Sequence, residues 1–566
     1  MHIAAGSSLF VTHSPDRSSF TRSCPQVFER THQPLYHPAM TASTDSSEYA
    51  PASDTTRLAE IQAMLEARLV RIPDDVASLV ELSRTRFHRG HFRAASAPLL
   101  RAAGHLPHDA PQIVALVQRL IAQGEIAVAR RCLQLLAQAP QPPADMLATQ
   151  AHLQFMLGDH DWALRTMAAA VDAGVDGPGD LFMHAILLQF SGQADATHAV
   201  LERCLARWPG FGDALTVLVN LRKQRPETQR LDWIAARLCE LPLAGTPEQR
   251  FVRAEFEYAR FKTLDDLDRR DEAWAALESC NALMRALNPY DAAAEERVTT
   301  ALIGMPVSPS GPVHACSPGP LPIFIVGMPR TGTTLLDRIL SSHSQVTSAG
   351  EIIDFWRQLH WVADVPPARN AGLLEIVRRS ARIDYRELGE RYLAQTRWRA
   401  QGKAWYVDKL PANIQLVGFI RRALPQAPIL HLVRDPMDVC FSNYKALFGN
   451  ISAYSYGLDS VAHYHSQYAR LARHWRKALP GTMLDVPYAD LVQRTEDTVS
   501  KVLQHCGLTL ENACLHPEHN AAPVATPSSA QVREAIHRRG LGQWQRYARE
   551  LEPLRQALAE QENGAD

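Results

Sequence analysis

The arrangement of apolar positions changes near residue 320. Beyond that point short uninterrupted apolar runs recur, "IFIV" (323–326), "AWYV" (404–407), "ILHLV" (429–433) and "MLDV" (483–486), and helical stretches separate them. That alternation predicts a parallel sheet covered on both faces. Ligands of such sheets bind beyond the carboxyl ends of the strands. Upstream, 53–303 reads as helices alone, rich in alanine and punctuated by glycine.

The punctuation is regular. Gly90, Gly124, Gly158 and Gly192 each stand 34 positions after the last. Five residues after each come Ala95, Ala129, Ala163 and Thr197, small side chains where two helices pack closely, and twelve after come Ala102, Leu136, Ala170 and Cys204. Pro107 and Pro209 close the second helix of their units, whereas Gln141 and Val175 break the pattern. The period resembles that of tetratricopeptide repeats, with four units over 76–211, weaker helical pairs on either side, and one more second helix in "RRDEAWAALESCNALMRAL" (269–287). Such arrays stack into a superhelix with a concave face that binds peptides or mediates dimers. A Pro/Gly-rich segment, 304–321, cannot sustain a helix or a central strand and serves as the linker to a second domain over 322–560.

Composition narrows the partners. The chain has 566 residues, so several domains are expected. Its 59 lysines and arginines balance 60 acidic residues, so no bulk charge points to nucleic acid or to a membrane surface, and any anion site is local. Nine cysteines stand singly, without a CxxC, and read as reduced, buried small residues, which with the lack of a targeting segment suggests the cytoplasm. Residues 1–52 are Ser-, Thr- and Pro-rich and read as disordered, with Met40 a second candidate start. No run is long and apolar enough for a transmembrane helix.

The candidate chemistry begins at "FIVGMPRTGTTLLDRIL" (324–340): an apolar strand, a glycine-bracketed loop, an amphipathic helix. Gly327 and Gly332 permit consecutive backbone N–H groups to turn inward at a helix N-terminus, which makes an anion nest. A nucleotide triphosphatase would have lysine after Gly332, but Thr333 stands there, and the loop's fixed charge is Arg330. In "PILHLVRDPMDVCFSNY" (428–444), Arg434 follows a strand and Ser442 lies eight residues on, about two helical turns. An arginine and a hydroxyl beyond a neighbouring strand suit a second phosphate; the alternative for Arg434–Asp435 is a surface ion pair. Two such sites suit a nucleotide phosphorylated at 5′ and 3′.

Together "PRTGTTLL" and "LVRDPMDVCFSNY" resemble the sulfotransferase family, which uses 3′-phosphoadenosine 5′-phosphosulfate (PAPS), in a form similar to protein-tyrosine sulfotransferases and to bacterial proteins fusing tetratricopeptide repeats to such a domain. The resemblance implies a tetratricopeptide array followed by an α/β P-loop-like sulfotransferase domain with a parallel sheet. It implies that Arg330, Thr331, Gly332, Thr333 and Thr334 hold the 5′-phosphosulfate, that Arg434 and Ser442 hold the 3′-phosphate, and that Tyr488 of "VPYADLV" contacts the adenosine. It makes Glu351 of "AGEIIDFW" the general base, and Arg330, Lys409 of "VDKLPANI" and Ser528 of "PSSAQVR" further catalytic residues. Glu351 has a surface carboxylate as its alternative reading, and Ser442 and Ser528 have helix caps. "RRGLGQW" (538–544) is one residue short of the family's 3′-phosphate loop, leaving Arg538 and Arg539 between ligands and solvated charges. No metal is expected. A peptide or protein acceptor, tyrosine among the candidates, and a homodimer are the implied partners, whereas a small-molecule kinase and a non-catalytic scaffold are the competing readings.

Overall fold

The computed structural model describes residues 52–563 apart from 108, 139, 307–316, 368, 527, 528 and 530. The segment 1–51, Met40, Cys24, Cys316, Ser528 and most of the 304–321 linker therefore lie outside the described residues. Among those described, no helix is long and apolar enough to cross a membrane.

The described residues of 52–303 form helices joined by turns and short loops, without a strand. The paired helices are Val76–His88 with Ser96–Gly104, Ala110–Gln123 with Ile126–Leu136, Ala144–Met156 with His160–Asp172, and Pro178–Phe190 with Ala194–Arg207. The four periodic glycines lie at the turns inside these pairs, with φ of 80°, 83°, 78° and 82°, a region that L side chains enter only at a cost. Ala95, Ala129, Ala163 and Thr197 are fully buried, as close helix packing requires. Gly212–Leu221, Leu231–Glu240, Pro247–Asp266, Arg270–Leu287 and Ala292–Ile303 continue the layer, the third of them started by a capping box between Thr246 and Gln249.

The second region is one five-stranded parallel sheet, β1 (Leu321–Gly327), β2 (Val346–Ser348), β3 (Trp405–Lys409), β4 (Ile429–Val433) and β5 (Met483–Pro487), in the order β2-β3-β1-β4-β5. The period-2 geometry of β1 sends Phe324 and Val326 to a core with Phe355, Tyr392 and Phe419, and Ile323 and Ile325 to a core with Leu336, Leu430 and Val502. Both faces of the sheet are thus covered. Two details differ from the sequence reading: β1 begins at Leu321, inside the stretch assigned to the linker, and β2 is an additional edge strand of three residues. Of the seven described cysteines six are buried, but Cys239 is exposed near the end of Leu231–Glu240, because its position falls on the outer side of that helix.

The helical turns dock directly on the sheet domain. Three successive carbonyls at helix C-termini accept from it: Gly124 O from Gln358 Nε2 (2.8 Å), Leu157 O from Arg399 Nη2 (2.7 Å) and Phe190 O from Arg533 Nη2 (3.0 Å). Donors there satisfy carbonyls that a helix end leaves open, and the two arginines also face the negative end of the helix dipole. The glycines consequently have a second job. A Cβ at Gly124 or Gly158 would lie 3.0 Å from Gln358 Nε2 or 2.7 Å from Arg399 Nη1. Arg391 completes the junction with a 2.8 Å ion pair to the buried Glu125 and by stacking 3.5 Å from the Trp361 ring centroid.

Candidate functional site

Each of the five strands ends at a candidate residue. β1 runs into the loop 327–332, Lys409 is the last residue of β3, Glu351 follows β2 by three positions, Arg434 comes directly after β4, and Tyr488 directly after β5. Because all strands are parallel, these five ends share one edge of the sheet, on both sides of the central β1. Gly332 and Tyr488, 156 positions apart in sequence, therefore meet.

The loop is tightly constrained. A Cβ at Gly327 would lie 2.9 Å from Leu432 O of β4, and one at Gly332, where φ is 105°, would lie 2.6 Å from Tyr488 Cδ2. Arg330 itself has φ of 67°, a conformation costly for a non-glycine residue and characteristic of functional loops. Thr331 donates from both its N–H and its hydroxyl to Met328 O, at 3.4 and 2.8 Å. Its hydroxyl thus shapes the loop instead of facing outward as a donor. Gly332 caps the helix Thr333–Ser341, which brings Thr333 and Thr334 to its first turn, and Thr334 Oγ1 contacts Thr526 Oγ1 at 3.5 Å.

Arg434 makes no ion pair with Asp435. Its Nη1 donates to Arg330 O at 2.8 Å and its Nη2 to Gly540 O, while its guanidinium lies 5.0 Å from the Tyr488 ring centroid. Asp435 instead caps the helix Pro436–Tyr444 by accepting from Asp438 N at 2.9 Å. Ser442 is mid-helix and buried, so it is not a cap. The "RRGLGQW" segment packs on this helix through its backbone, Gly542 N donating to Asp438 Oδ2 at 2.8 Å. Its arginines behave otherwise: Arg538 is exposed, and Arg539 is exposed and paired with Glu534.

Glu351 and Lys409 form an ion pair through Oε1 and Nζ. Lys409 has no exposed surface, whereas Glu351 lines the cavity. The lysine charge accordingly reaches that cavity through Glu351. Behind the pair, burial raises the Asp337 carboxyl to about 6 although Lys409 favours its charged form, and Ser348 Oγ donates to it at 2.9 Å.

One cavity of about 3460 Å³ joins these elements. Arg330, Thr334, Glu351, Arg434, Ser442 and Tyr488 line it from the sheet domain, and Arg119, Glu255 and Tyr258 from the helical wall. Two contributors escaped the sequence reading. Lys445 is one turn beyond Ser442 on the same helical face, donates to Gln543 Oε1 at 2.8 Å, and has its pKa lowered to about 8 by burial, with Arg330, Arg434 and Arg546 adding to the shift against Asp265. The i,i+3 spacing from Ser442 was the available signal. Tyr258 comes from Pro247–Asp266 and sits close enough to Arg330 for each to shift the other's titration, a proximity across domains that no local pattern encodes. Burial also lowers the pKa of Arg330 and Arg434. Several cations thus converge on one recess, the electrostatic signature of an anion site. Among the described residues no group of three metal-ligating side chains occurs.

Residues 322–512 match the model of the sulfotransferase family, so this part of the chain is a sulfotransferase-family domain. An Aquifex aeolicus (strain VF5) protein described as "Uncharacterized protein" is 32% identical over 253 residues, covering 43% of this chain and 33% of the relative. Nodulation protein NoeE of Sinorhizobium fredii (strain NBRC 101917 / NGR234) is 31% identical over 140 residues, covering 22% of this chain and 32% of that protein. The chain spans about a third of the length of these curated relatives. Among solved structures, the sulfotransferase domain from the curacin biosynthetic pathway aligns at 17% identity over 42% of this chain and 98% of its own, with a TM-score of 0.26. The Mycobacterium avium sulfotransferase STF9 aligns at 13% identity over 61% and 97%, with a TM-score of 0.29.

Proposed function

We propose that the chain is a PAPS-dependent sulfotransferase acting on a hydroxyl acceptor, with tyrosine of a peptide or protein as the leading candidate, and that its helical region is a tetratricopeptide-type array presenting that acceptor. The observation that carries the reading is the convergence, beyond one sheet edge, of the glycine nest after β1, the Glu351–Lys409 pair and the Arg434–Ser442 site. A nest and a separate cation site fit a ligand with two anionic ends. Tyr488, wedged between Gly332 and the Arg434 guanidinium, offers a flat face to a base.

PAPS supplies an activated sulfuryl group and leaves as adenosine 3′,5′-bisphosphate. The loop N–H groups and the threonines at the start of Thr333–Ser341 hold the 5′ end, and Arg434, Ser442 and Lys445 hold the 3′-phosphate. Arg330 neutralises charge on the transferring group, a permanent cation in the role a metal takes in many phosphoryl transfers. Glu351 accepts the acceptor's proton as the new O–S bond forms and the bridging S–O bond breaks. Protonation removes the charge that held Lys409, and the freed ammonium then stabilises the departing phosphate oxygen. Base and electrophile are thus coupled through one ion pair.

Binding of adenosine 3′,5′-bisphosphate and of ATP with magnesium, compared by thermal shift and calorimetry, tests the reading. Preference for the bisphosphate is expected; preference for ATP indicates a kinase, and response to neither indicates a scaffold. Turnover with labelled PAPS should persist in chelator.

A further inference from the structure

A chain of buried polar groups beneath the loop takes no part in the reaction above. His431 interrupts the apolar run of β4, pairs in register with Val326, and is 1% exposed. A buried imidazole is costly unless both ring nitrogens are satisfied, and here they are. Nδ1 lies 2.8 Å from Asp485 Oδ1 on β5, and Nε2 lies 2.6 Å from the Tyr468 hydroxyl. Tyr468 belongs to the helix Leu458–Ala478, which also supplies Arg476, 2.9 Å from Asp485 Oδ2. Two turns of that helix, about 12 Å, separate the two residues, which clamp the Asp485–His431 pair from both ends. Asp485 as a carboxylate only accepts, so Nδ1 carries the ring proton and bare Nε2 accepts the Tyr468 O–H. The phenolic oxygen keeps its lone pairs for another donor. That donor is the backbone N–H of Met328, the first residue after β1. Burial raises the Tyr468 pKa, so the phenol retains its proton.

Met328 opens the anion nest. It is fully buried, and its carbonyl accepts from Thr331 N and Oγ1. Pro329 O accepts from Asn443 Nδ2 at 2.8 Å, and Arg330 O from Arg434 Nη1 at 2.8 Å. Three successive carbonyls of the loop are thereby engaged, so the oxygens that would repel an anion are occupied. Tyr468 holds the N–H at which this run begins. We propose that Tyr468, oriented by His431 and Asp485, is a positioning residue for the nucleotide: it fixes the entry of the loop in the conformation that grips a 5′-phosphate. None of these three residues lines the cavity, so they act through Met328 and not on the ligand. The identity of the 5′-phosphate ligand rests on the sulfotransferase reading. A histidine that merely fills the core would leave nucleotide affinity indifferent to the tyrosine hydroxyl.

Calorimetry of the full-length chain with adenosine 3′,5′-bisphosphate and with adenosine 3′-phosphate, which lacks the 5′ group, tests the assignment. Tyr468→Phe keeps the ring and removes the hydroxyl. It is expected to weaken the bisphosphate about two- to tenfold, the effect of one hydrogen bond, and to leave adenosine 3′-phosphate unchanged. His431→Phe should reproduce the selective loss, and adding it to Tyr468→Phe should cost nothing further, because the chain of bonds is already cut. Equal weakening of both nucleotides, no weakening of either, or additive losses in the double variant overturns the proposal. Amide hydrogen exchange of the unliganded chain reads the same tether without a nucleotide and needs only Tyr468→Phe. Exchange should quicken at Met328 more than in the helical array, and a rise that is uniform or absent overturns the proposal. A wild type that binds neither nucleotide would instead overturn the sulfotransferase reading, and the exchange comparison would still decide the tether.

Discussion

Gly332→Ala isolates what the loop geometry demands. At φ of 105° an alanine pays backbone strain of roughly 1–3 kcal/mol. The added Cβ would also lie 2.6 and 2.8 Å from Tyr488 Cδ2 and Cε2, where carbon–carbon contacts prefer about 3.5–4.0 Å, so the ring must retreat by about 1 Å. That ring is buried and packs on Arg434, whose stacking on it contributes about 0.5–1 kcal/mol. The sum is about 2–4 kcal/mol. Gly350→Ala is the internal reference: its φ of 73° is also positive, but nothing lies within 4 Å of the added Cβ, leaving strain alone. Denaturant titration should give Gly332→Ala the larger loss, and calorimetry should show at least tenfold weaker binding of adenosine 3′,5′-bisphosphate for it alone. Adding Tyr488→Ala to Gly332→Ala should recover stability beyond additivity. Equal losses at the two glycines, or no recovery, would refute the clash.

Glu351→Gln should abolish turnover while preserving bisphosphate binding, and should destabilise by about 3–5 kcal/mol because Lys409 is left buried and unpaired; combining it with Lys409→Met should cost less than either change alone, as read by denaturation. Burial raises the Asp408 carboxyl to about 8, so the native state keeps a proton that the unfolded chain releases near pH 4, and its stability contribution is full below that and lost as pH rises through 8. Asp408→Asn should therefore lose less stability than wild type between about pH 5 and about pH 9, and parallel curves would show the carboxyl to be ionised throughout. Lys445, lowered to about 8, carries its charge below that pH, so bisphosphate affinity should fall as pH rises through 8 in wild type but not in Lys445→Met. Glu125→Ala leaves Arg391 without its 2.8 Å partner at the domain junction and should lower the melting temperature of the whole chain in calorimetry.

The elements that sequence reasoning found were those with strong local patterns. The buried strands announced themselves as apolar runs because both faces of each are covered, and the 34-residue glycine period announced the helical turns because positive φ there excludes most other residues. β2 was missed since three residues, two of them polar, carry no period. The candidate residues that lie near strand ends, Arg330, Glu351, Lys409, Arg434 and Tyr488, could be singled out from their motifs. Their mutual pairing could not: that Lys409 is sealed behind Glu351, or that Arg434 holds the Arg330 and Gly540 carbonyls instead of Asp435, follows from strand order, and strand order is a non-local property.

The helical array and the sheet domain share more than a linker. Gln358, Arg399 and Arg533 donate to carbonyls at three successive helix ends, so the spacing of the repeats is matched by donors on a different fold. This fixes the array's inner face over the strand ends, and Tyr258 and Glu255 become walls of the same cavity as Arg330. On the proposed reading, an acceptor entering that cavity would contact both domains at once, and its ordering cost would be offset by a surface that is already organised. Acceptor choice would then reside in the array and chemistry in the sheet domain. On that reading, loosening the Gln358, Arg399 and Arg533 contacts should degrade turnover of every acceptor alike while leaving bisphosphate affinity unchanged.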